Sequence, residues 1–426
     1  MSDDPLLDDR PLRYVDGQLH MDAVALRDIA AAVGSPTYVY SATHIKQQIH
    51  HLKDAFSAVD HRIHYSVKAN SNLAVLNLCR QQGCGFDIVS GGELSRVLAA
   101  GCDPQDVIFS GVGKSVEELD FALKAGIGCF NVESAGELQR LSARAANLKV
   151  VAPVSLRVNP DVDAGTHPYI STGLKDNKFG IPIEHALPLY QQAAADEYLH
   201  PTGIDCHIGS QITEHEPLLA ALTSVLALYD ALAGAGIDVE HIDLGGGMGI
   251  RYQHENALDV AAYGDSVAQT LGHRNCQILL EPGRSIVANA GVLLTRVEYL
   301  KPSPSPERPS FAVVDAAMND LIRPALYQAW HDIVPVQRGD AAAQRDWDVV
   351  GPVCESGDFL GKSRPLALAD NDLLCVCSAG AYGMVQASNY NSRGRAAEVL
   401  VDGQDFALVR RRETIDDQLR LEQFPV

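Results

Sequence analysis

Eight short β-rich runs separated by helix-like stretches constrain this chain more than any other feature. They are Arg62 to Val67, Gly85 to Val89, Val107 to Ser110, Cys129 to Val132, Val154 to Val158, Gly203 to Ile208, Ile242 to Leu244 and Ile278 to Glu281. Between them, stretches such as SVEELDFALKAG (115–126) and PLLAALTSVLALYDALAGAG (217–236) carry apolar residues at three-to-four spacing and end on glycine, the pattern of a helix with one buried face. Strands alternating with helices pair in parallel, and eight of them favour a (β/α)8 TIM barrel. A doubly wound open sheet gives the same alternation.

After Glu281 the texture changes to strands divided by turns: Val292 to Leu300, Phe311 to Val314, Leu373 to Cys377 and Glu398 to Val401, with KPSPSPERP (301–309) as a proline-rich loop. This is a second, mostly β domain of sandwich or Greek-key barrel type. LRYVDGQLHM near the amino terminus reads as a hairpin about Asp16-Gly17 that adds to it. The expected division is a barrel over 36–285 and a β domain built from 1–35 plus 286–426.

Net charge is −20, and no basic block stands out, which argues against nucleic-acid or anionic-membrane partners. MSDDPLLDDR lacks the basic start and apolar core of a signal peptide, no apolar run is expected to approach membrane-spanning length, and the expected compartment is the cytoplasm. Nine cysteines without zinc-type pairs point away from disulfides and a structural metal, and most are expected to be buried thiols.

Lys68, Arg157, His207, Gly245 to Gly247 and Glu281 all fall at carboxyl ends of the proposed strands, where barrel enzymes build their sites. Each has an ordinary reading as well. A lysine after a strand is usually solvated, but at a barrel mouth its amine can form a Schiff base with an aldehyde cofactor. His207 in DCHIGSQ is by default a satisfied histidine, and otherwise stacks on an aromatic ring, with the Ser210 hydroxyl available to a phosphate. DLGGGMG is either a tight turn or a place where backbone N–H groups converge on one phosphate; it is not a dinucleotide fingerprint, since Ile250 stands where a small residue is required. In EPGRSIV, Glu281 and Arg284 form a surface ion pair, or else Glu281 keeps a pyridine nitrogen protonated. Cys354 beside Glu355 in GPVCESGDFL is a buried thiol or a proton donor. Arg323 and Tyr327 in NDLIRPALY stand one helical turn apart, and glycines around Tyr382 let its phenol approach a ligand.

The ordered series HYSVKAN, FDIVSGGEL, SLRVNP, HPYISTGLKDNKFGI, DCHIGSQ, DLGGGMGI, EPGRSIV, AAMNDLIRPALY, GPVCESGDFL, SAGAYGM and YNSRGRAAEVL closely resembles the diaminopimelate decarboxylases, fold-type III pyridoxal-phosphate enzymes, from about Pro36 to the RRRETIDDQL tail. The resemblance implies that Lys68 carries pyridoxal 5'-phosphate, His207 stacks on its ring and Glu281 pairs with its nitrogen. Ser210, Gly245, Gly246, Gly247, Glu281, Pro282, Gly283, Arg284 and Tyr382 would hold the cofactor and its phosphate, with Arg157, Asp87 and Ser90 in support. Arg284, Arg323, Tyr327 and Tyr382 would bind substrate through its distal carboxylate, Glu355 would bind the distal ammonium, and Cys354 would return a proton to the α-carbon. Cys354 and Glu355 reach a neighbouring subunit's site in this family, which implies a homodimer. The implied reaction is meso-2,6-diaminopimelate to L-lysine and carbon dioxide, the last step of lysine biosynthesis. The alternatives are an ornithine, arginine or carboxylated-polyamine decarboxylase, a racemase on the same scaffold, and an inactive regulatory homologue. Gly394, where many members have proline, is the visible departure.

Overall fold

A computed structural model describes residues 7–162, 178–305, 307–339 and 343–425. Most of the HPYISTGLKDNKFGI motif lies outside the described residues. The chain forms two compact units, one of residues 48–250 and 256–285 and the other of 1–47, 251–255 and 286–426.

In the first unit the eight expected strands are His61–Ser66, Gly85–Ile88, Val107–Phe109, Cys129–Val132, Ala152–Asn159, Leu199–Asp205, His241–Asp243 and Gln277–Leu280. Each pairs in parallel with the next, and the last pairs with the first, so the sheet closes and the open-sheet alternative falls away. Local chemistry fixes the helix ends. Ser115 and Glu118 form a reciprocal capping box at the start of Val116–Ala125, and Gly126 ends that helix at φ 73°, where a side chain would be strained.

The helix Glu216–Gly234 amends one expectation. Its 19 residues, at mean hydropathy 1.5, do reach the length and apolarity of a membrane span. Here it links the sixth and seventh barrel strands and buries Leu218, Leu222, Val225, Leu226 and Leu232. An apolar helix is what a barrel's outer layer requires on its inner face.

The second unit is mostly β, as expected. Its main sheet runs through Phe359–Leu366, Arg345–Val350, Ser310–Val314, Gly291–Lys301, Thr37–Ser41, Ala397–Asp402 and Asp405–Arg410. The amino-terminal hairpin forms between Leu12–Val15 and Gln18–Met21, with Asp16 and Gly17 at φ 49° and 75°, and joins Val24–Ala25 in a small sheet of its own. Leu19, Met21, Leu26 and Ile29 share a core with Val39, Val292, Leu294, Cys375 and Val399. Thr37–Ser41 differs from the expected division. It lies antiparallel to Gly291–Leu294 and parallel to Ala397–Val401, buried throughout, and so belongs to the β unit rather than to the barrel.

Candidate active site

Parallel register determines which side chains meet at the carboxyl ends of the barrel strands. Ser66 pairs with Asp87, while Arg157, Asp205 and Asp243 are partners across three consecutive strands. In-register neighbours point to the same face, and all five side chains are buried. The first strand runs into a single 3₁₀ turn, Val67–Ala69, which carries Lys68. Lys68 Nζ lies 2.7 Å from Asp87 Oδ2; its side chain is 38% exposed while that of Asp87 is 0% exposed. This is not a solvated loop lysine, because its amine reaches inward to a carboxylate that has no access to water. The Ser66 hydroxyl is 2.8 Å from the same Asp87 oxygen and 2.9 Å from the Glu281 carbonyl, so its one proton serves either. Asp87 Oδ1 is buried with no partner among the described residues.

Glu281 belongs to a group that the sequence reading did not assemble. Oxygens of Asp205, Asp243 and Glu281 lie within 4.8 Å of one another, all three residues buried, close enough to share a proton or a cation. Two charges at that spacing repel by about 3–4 kcal/mol even at an effective dielectric of about 20, so the group resists full ionisation. Burial, then Asp243, Asp87 and Asp205, push the Glu281 carboxyl well above the usual range. Burial and Asp243 do the same to Asp205, whereas Asp243, relieved by the Gly245 N–H, is raised by burial to about 6. Gly245 N donates to Asp243 Oδ1 at 2.8 Å.

His207 follows the sixth strand. Gly246 N–H donates to its Nδ1 at 3.3 Å, which places the ring proton on Nε2, and burial with nearby Arg157 and Lys68 drives its pKa well down, so the ring is neutral. The glycine run is a device for close approach. A Cβ on Gly246 would collide with the Glu281 carbonyl and one on Gly247 with the Gly209 carbonyl; one on Gly245 would stand 2.6 Å from His207 Nδ1. The N–H groups of Gly245 and Gly246 are engaged by Asp243 and His207. Gly247 N–H has no partner among the described residues.

Pro282 and Gly283 pack on the lysine turn: Ser66 N donates to the Pro282 carbonyl at 3.0 Å, and a Cβ on Gly283 would stand 2.8 Å from that of Ala69. Buried Arg284 donates to Ser210 Oγ at 2.9 Å. Arg157 Nη1 is 3.3 Å from Glu133, Nη2 is 3.4 Å from the His207 carbonyl, and its guanidinium lies 5.0 Å from the Phe179 ring centre. Ser90 caps the helix Gly91–Ala99 by accepting from Glu93 N, an N-cap role.

The β unit gathers its own set. Arg323 is 7% exposed, with its guanidinium 5.3, 5.9 and 6.0 Å from the ring centres of Tyr252, Tyr327 and Tyr382. Its Nη2 reaches the Tyr252 hydroxyl at 3.3 Å and its Nε reaches His331 Nε2 at 3.4 Å. His331 Nδ1 bonds the Cys377 carbonyl, and burial together with nearby Arg323 lowers its pKa to about 3, leaving Nε2 free to accept. Tyr382 adopts φ 56°, a strained conformation for a non-glycine residue. Cys354 is exposed, and the other eight cysteines are buried. Glu355 beside it accepts a hydrogen bond from the Tyr390 hydroxyl.

Asp205, Asp243, Ser66, Tyr252 and His331 escaped sequence reasoning. The two aspartates each stand two residues before a residue that was singled out, but an aspartate before a turn ordinarily reads as a turn former. The strand register is what unites them.

Residues 42–288 match the family profile described as pyridoxal-dependent decarboxylase, pyridoxal binding domain. The chain is 59% identical over 404 residues to the diaminopimelate decarboxylase of Pseudomonas aeruginosa, covering 95% of this chain and 96% of that one. It is 53% identical over 408 residues to that of Vibrio cholerae, covering 96% and 97%. The crystal structure of diaminopimelate decarboxylase from M. jannaschii in co-complex with L-lysine superposes with a TM-score of 0.92 at 35% identity, covering 97% of this chain and 98% of that one.

Proposed function

The chain belongs to the diaminopimelate decarboxylases, within the pyridoxal-dependent decarboxylases, and on that premise we propose how its own residues carry out the reaction. The enzyme removes one carboxylate of meso-2,6-diaminopimelate as carbon dioxide and leaves L-lysine. The observation that supports the assignment of roles most strongly is the Lys68–Asp87 pair at the barrel mouth, 2.7 Å apart, with His207 and Glu281 close enough to feel the lysine charge.

The residues present fit pyridoxal 5'-phosphate. An inward-reaching amine, a neutral imidazole, a buried carboxyl that holds protons and a glycine run without side chains are the groups that an aldehyde-bearing pyridine phosphate requires. Lys68 would hold the aldehyde carbon, His207 the ring face and Glu281 the ring nitrogen. Ser210, Gly245 to Gly247, the Glu281–Pro282–Gly283–Arg284 turn and Tyr382 would hold the remainder, with Arg157 and Asp87 in support. Bound there, the cofactor supplies an electron sink for the pair left on the α-carbon when carbon dioxide departs.

The chain's own groups do the rest. Arg323, set among three phenols and a neutral imidazole, takes the substrate's distal carboxylate together with Tyr327 and Arg284. Glu355 takes the distal ammonium. Anchoring that end fixes which carboxylate is placed for loss. Cys354, as a thiol, delivers a proton to the α-carbon. The enzyme works as a homodimer in which Cys354 and Glu355 serve the neighbouring site, and it acts in the cytoplasm.

Lys68→Ala tests the anchor. The purified variant, mixed with cofactor, should lose both carbon dioxide release and the visible absorption of the lysine-bound cofactor, while retaining wild-type far-UV circular dichroism. An unchanged absorption band would remove Lys68 from this role.

A further inference from the structure

The loop that presents Cys354 and Glu355 is held firmly at its root and lightly at its tip. At the root, the buried Asp358 carboxylate accepts N–H bonds from Met318 at 2.6 Å and from Val353 at 2.7 Å. At the tip, Cys354, Glu355 and Ser356 are exposed. Besides the loop's own backbone bonds, from Glu355 N to the Val353 carbonyl at 2.8 Å and from Asp358 N to the Glu355 carbonyl at 3.1 Å, two contacts reach that tip from one neighbouring turn. Asn391 Oδ1 accepts the Cys354 N–H at 3.1 Å, and the Tyr390 hydroxyl donates to Glu355 Oε1.

The turn itself is constrained. Asn391 and Ser392 sit at φ 53° and 54°, two successive non-glycine residues in the left-handed region, which persists only where the surroundings enforce it. Arg393 supplies that enforcement, bonding Asn319 Oδ1 at 3.0 Å and the Asp315 carbonyl, while Asn389 bonds the Arg393 carbonyl at 3.0 Å. Ser388 N donates to the Asn319 carbonyl at 2.9 Å. A rigid turn thus places one acceptor under Cys354 and one donor beside Glu355.

We propose that Tyr390 and Asn391 are positioning residues for decarboxylation, Tyr390 fixing the Glu355 carboxylate and Asn391 fixing the backbone of Cys354. The proposal rests on the roles given above to Glu355 and Cys354. The phenol occupies Oε1 with a neutral donor, which orients the carboxylate without neutralising it. Oε2 has no partner among the described residues and is left to an ammonium. The division of labour is specific: one contact serves recognition of the distal amine, the other serves proton delivery.

Kinetics of the holoenzyme separate the two. Tyr390→Phe should raise KM for meso-diaminopimelate about five- to twentyfold with kcat within about twofold. The same variant should leave inhibition by 2-aminopimelate, which has both carboxylates and only one amine, within about twofold, and should add nothing to the defect of Glu355→Gln. Asn391→Gly, which suits the positive φ and removes the acceptor, should lower kcat at least about fivefold with KM unchanged, and Asn391→Asp should restore it. Equal losses toward both ligands, additivity with Glu355→Gln, or wild-type kinetics in both variants would overturn the proposal. If Glu355→Gln itself leaves KM unchanged, the role of Glu355 fails and the Tyr390 clamp fails with it. If Glu355→Gln raises KM and Tyr390→Phe does not, the clamp alone fails.

Discussion

At the scale of single residues, the site depends on what burial does to charge. Asp243, with its pKa raised to about 6 mainly by burial, is protonated in the fold at pH values where an unfolded aspartate is ionised. A raised folded pKa means that its contribution to stability is fully present below the unfolded value near 3.8 and is lost as pH rises toward 6. Asp243→Asn keeps the acceptor for Gly245 N–H and cannot ionise. Its stability in denaturant unfolding should therefore gain on wild type between pH 4 and 6 with a limiting slope of about 1.4 kcal/mol per pH unit; a pH-independent difference would contradict a shared proton. The proposed function gives Arg323 the substrate preference. Since an uncompensated buried charge costs about 3–5 kcal/mol, Arg323→Met should lower kcat/KM for meso-diaminopimelate by a hundredfold or more, on the order of the discrimination expected against ornithine. A loss of less than tenfold would move the carboxylate elsewhere.

At the scale of elements, the glycine loop shows what the sequence could and could not disclose. DLGGGMG was legible as a turn after a strand, and its place in the site followed from the order of motifs. That Gly246 presses on the Glu281 carbonyl required the register of two neighbouring strands. Gly246→Ala should cost about 1–3 kcal/mol of stability and weaken cofactor affinity, measured by spectroscopic titration. Gly136→Ala, in the helix Ala135–Leu148 with open space around its Cβ, should do neither and gain a few tenths of a kcal/mol. Similar effects at both positions would contradict the close-approach reading. The barrel strands were legible because each is a short apolar run bounded by turns. Thr37–Ser41 was not placed, because its partners lie more than 250 residues further on and nothing local reports a pairing that distant. Asp205 and Asp243 were passed over for a different reason: an aspartate before a turn reads locally as a turn former, and only the register of adjacent strands puts the two on one face.

At the scale of the whole molecule, the residues given roles in the proposed function fall into both units. The barrel carries Lys68, His207 and Glu281; the β unit carries Arg323, Cys354 and Glu355. If active sites are shared between subunits, Lys68→Ala and Cys354→Ala, each inactive alone, should complement when dissociated and reassociated together. Activity should return to about one quarter of wild type, from the half of dimers that are mixed and have one intact site each. Persistent inactivity in verified mixed dimers would place both residues in the same subunit's site. Carbon dioxide release from the purified protein, measured with meso-diaminopimelate, ornithine and arginine, each with and without added pyridoxal 5'-phosphate, decides both substrate and cofactor. Cofactor-dependent release from meso-diaminopimelate, with turnover of the other two lower by about a hundredfold or more, is the expected result. Comparable release from ornithine, or release indifferent to the cofactor after its removal, would contradict it.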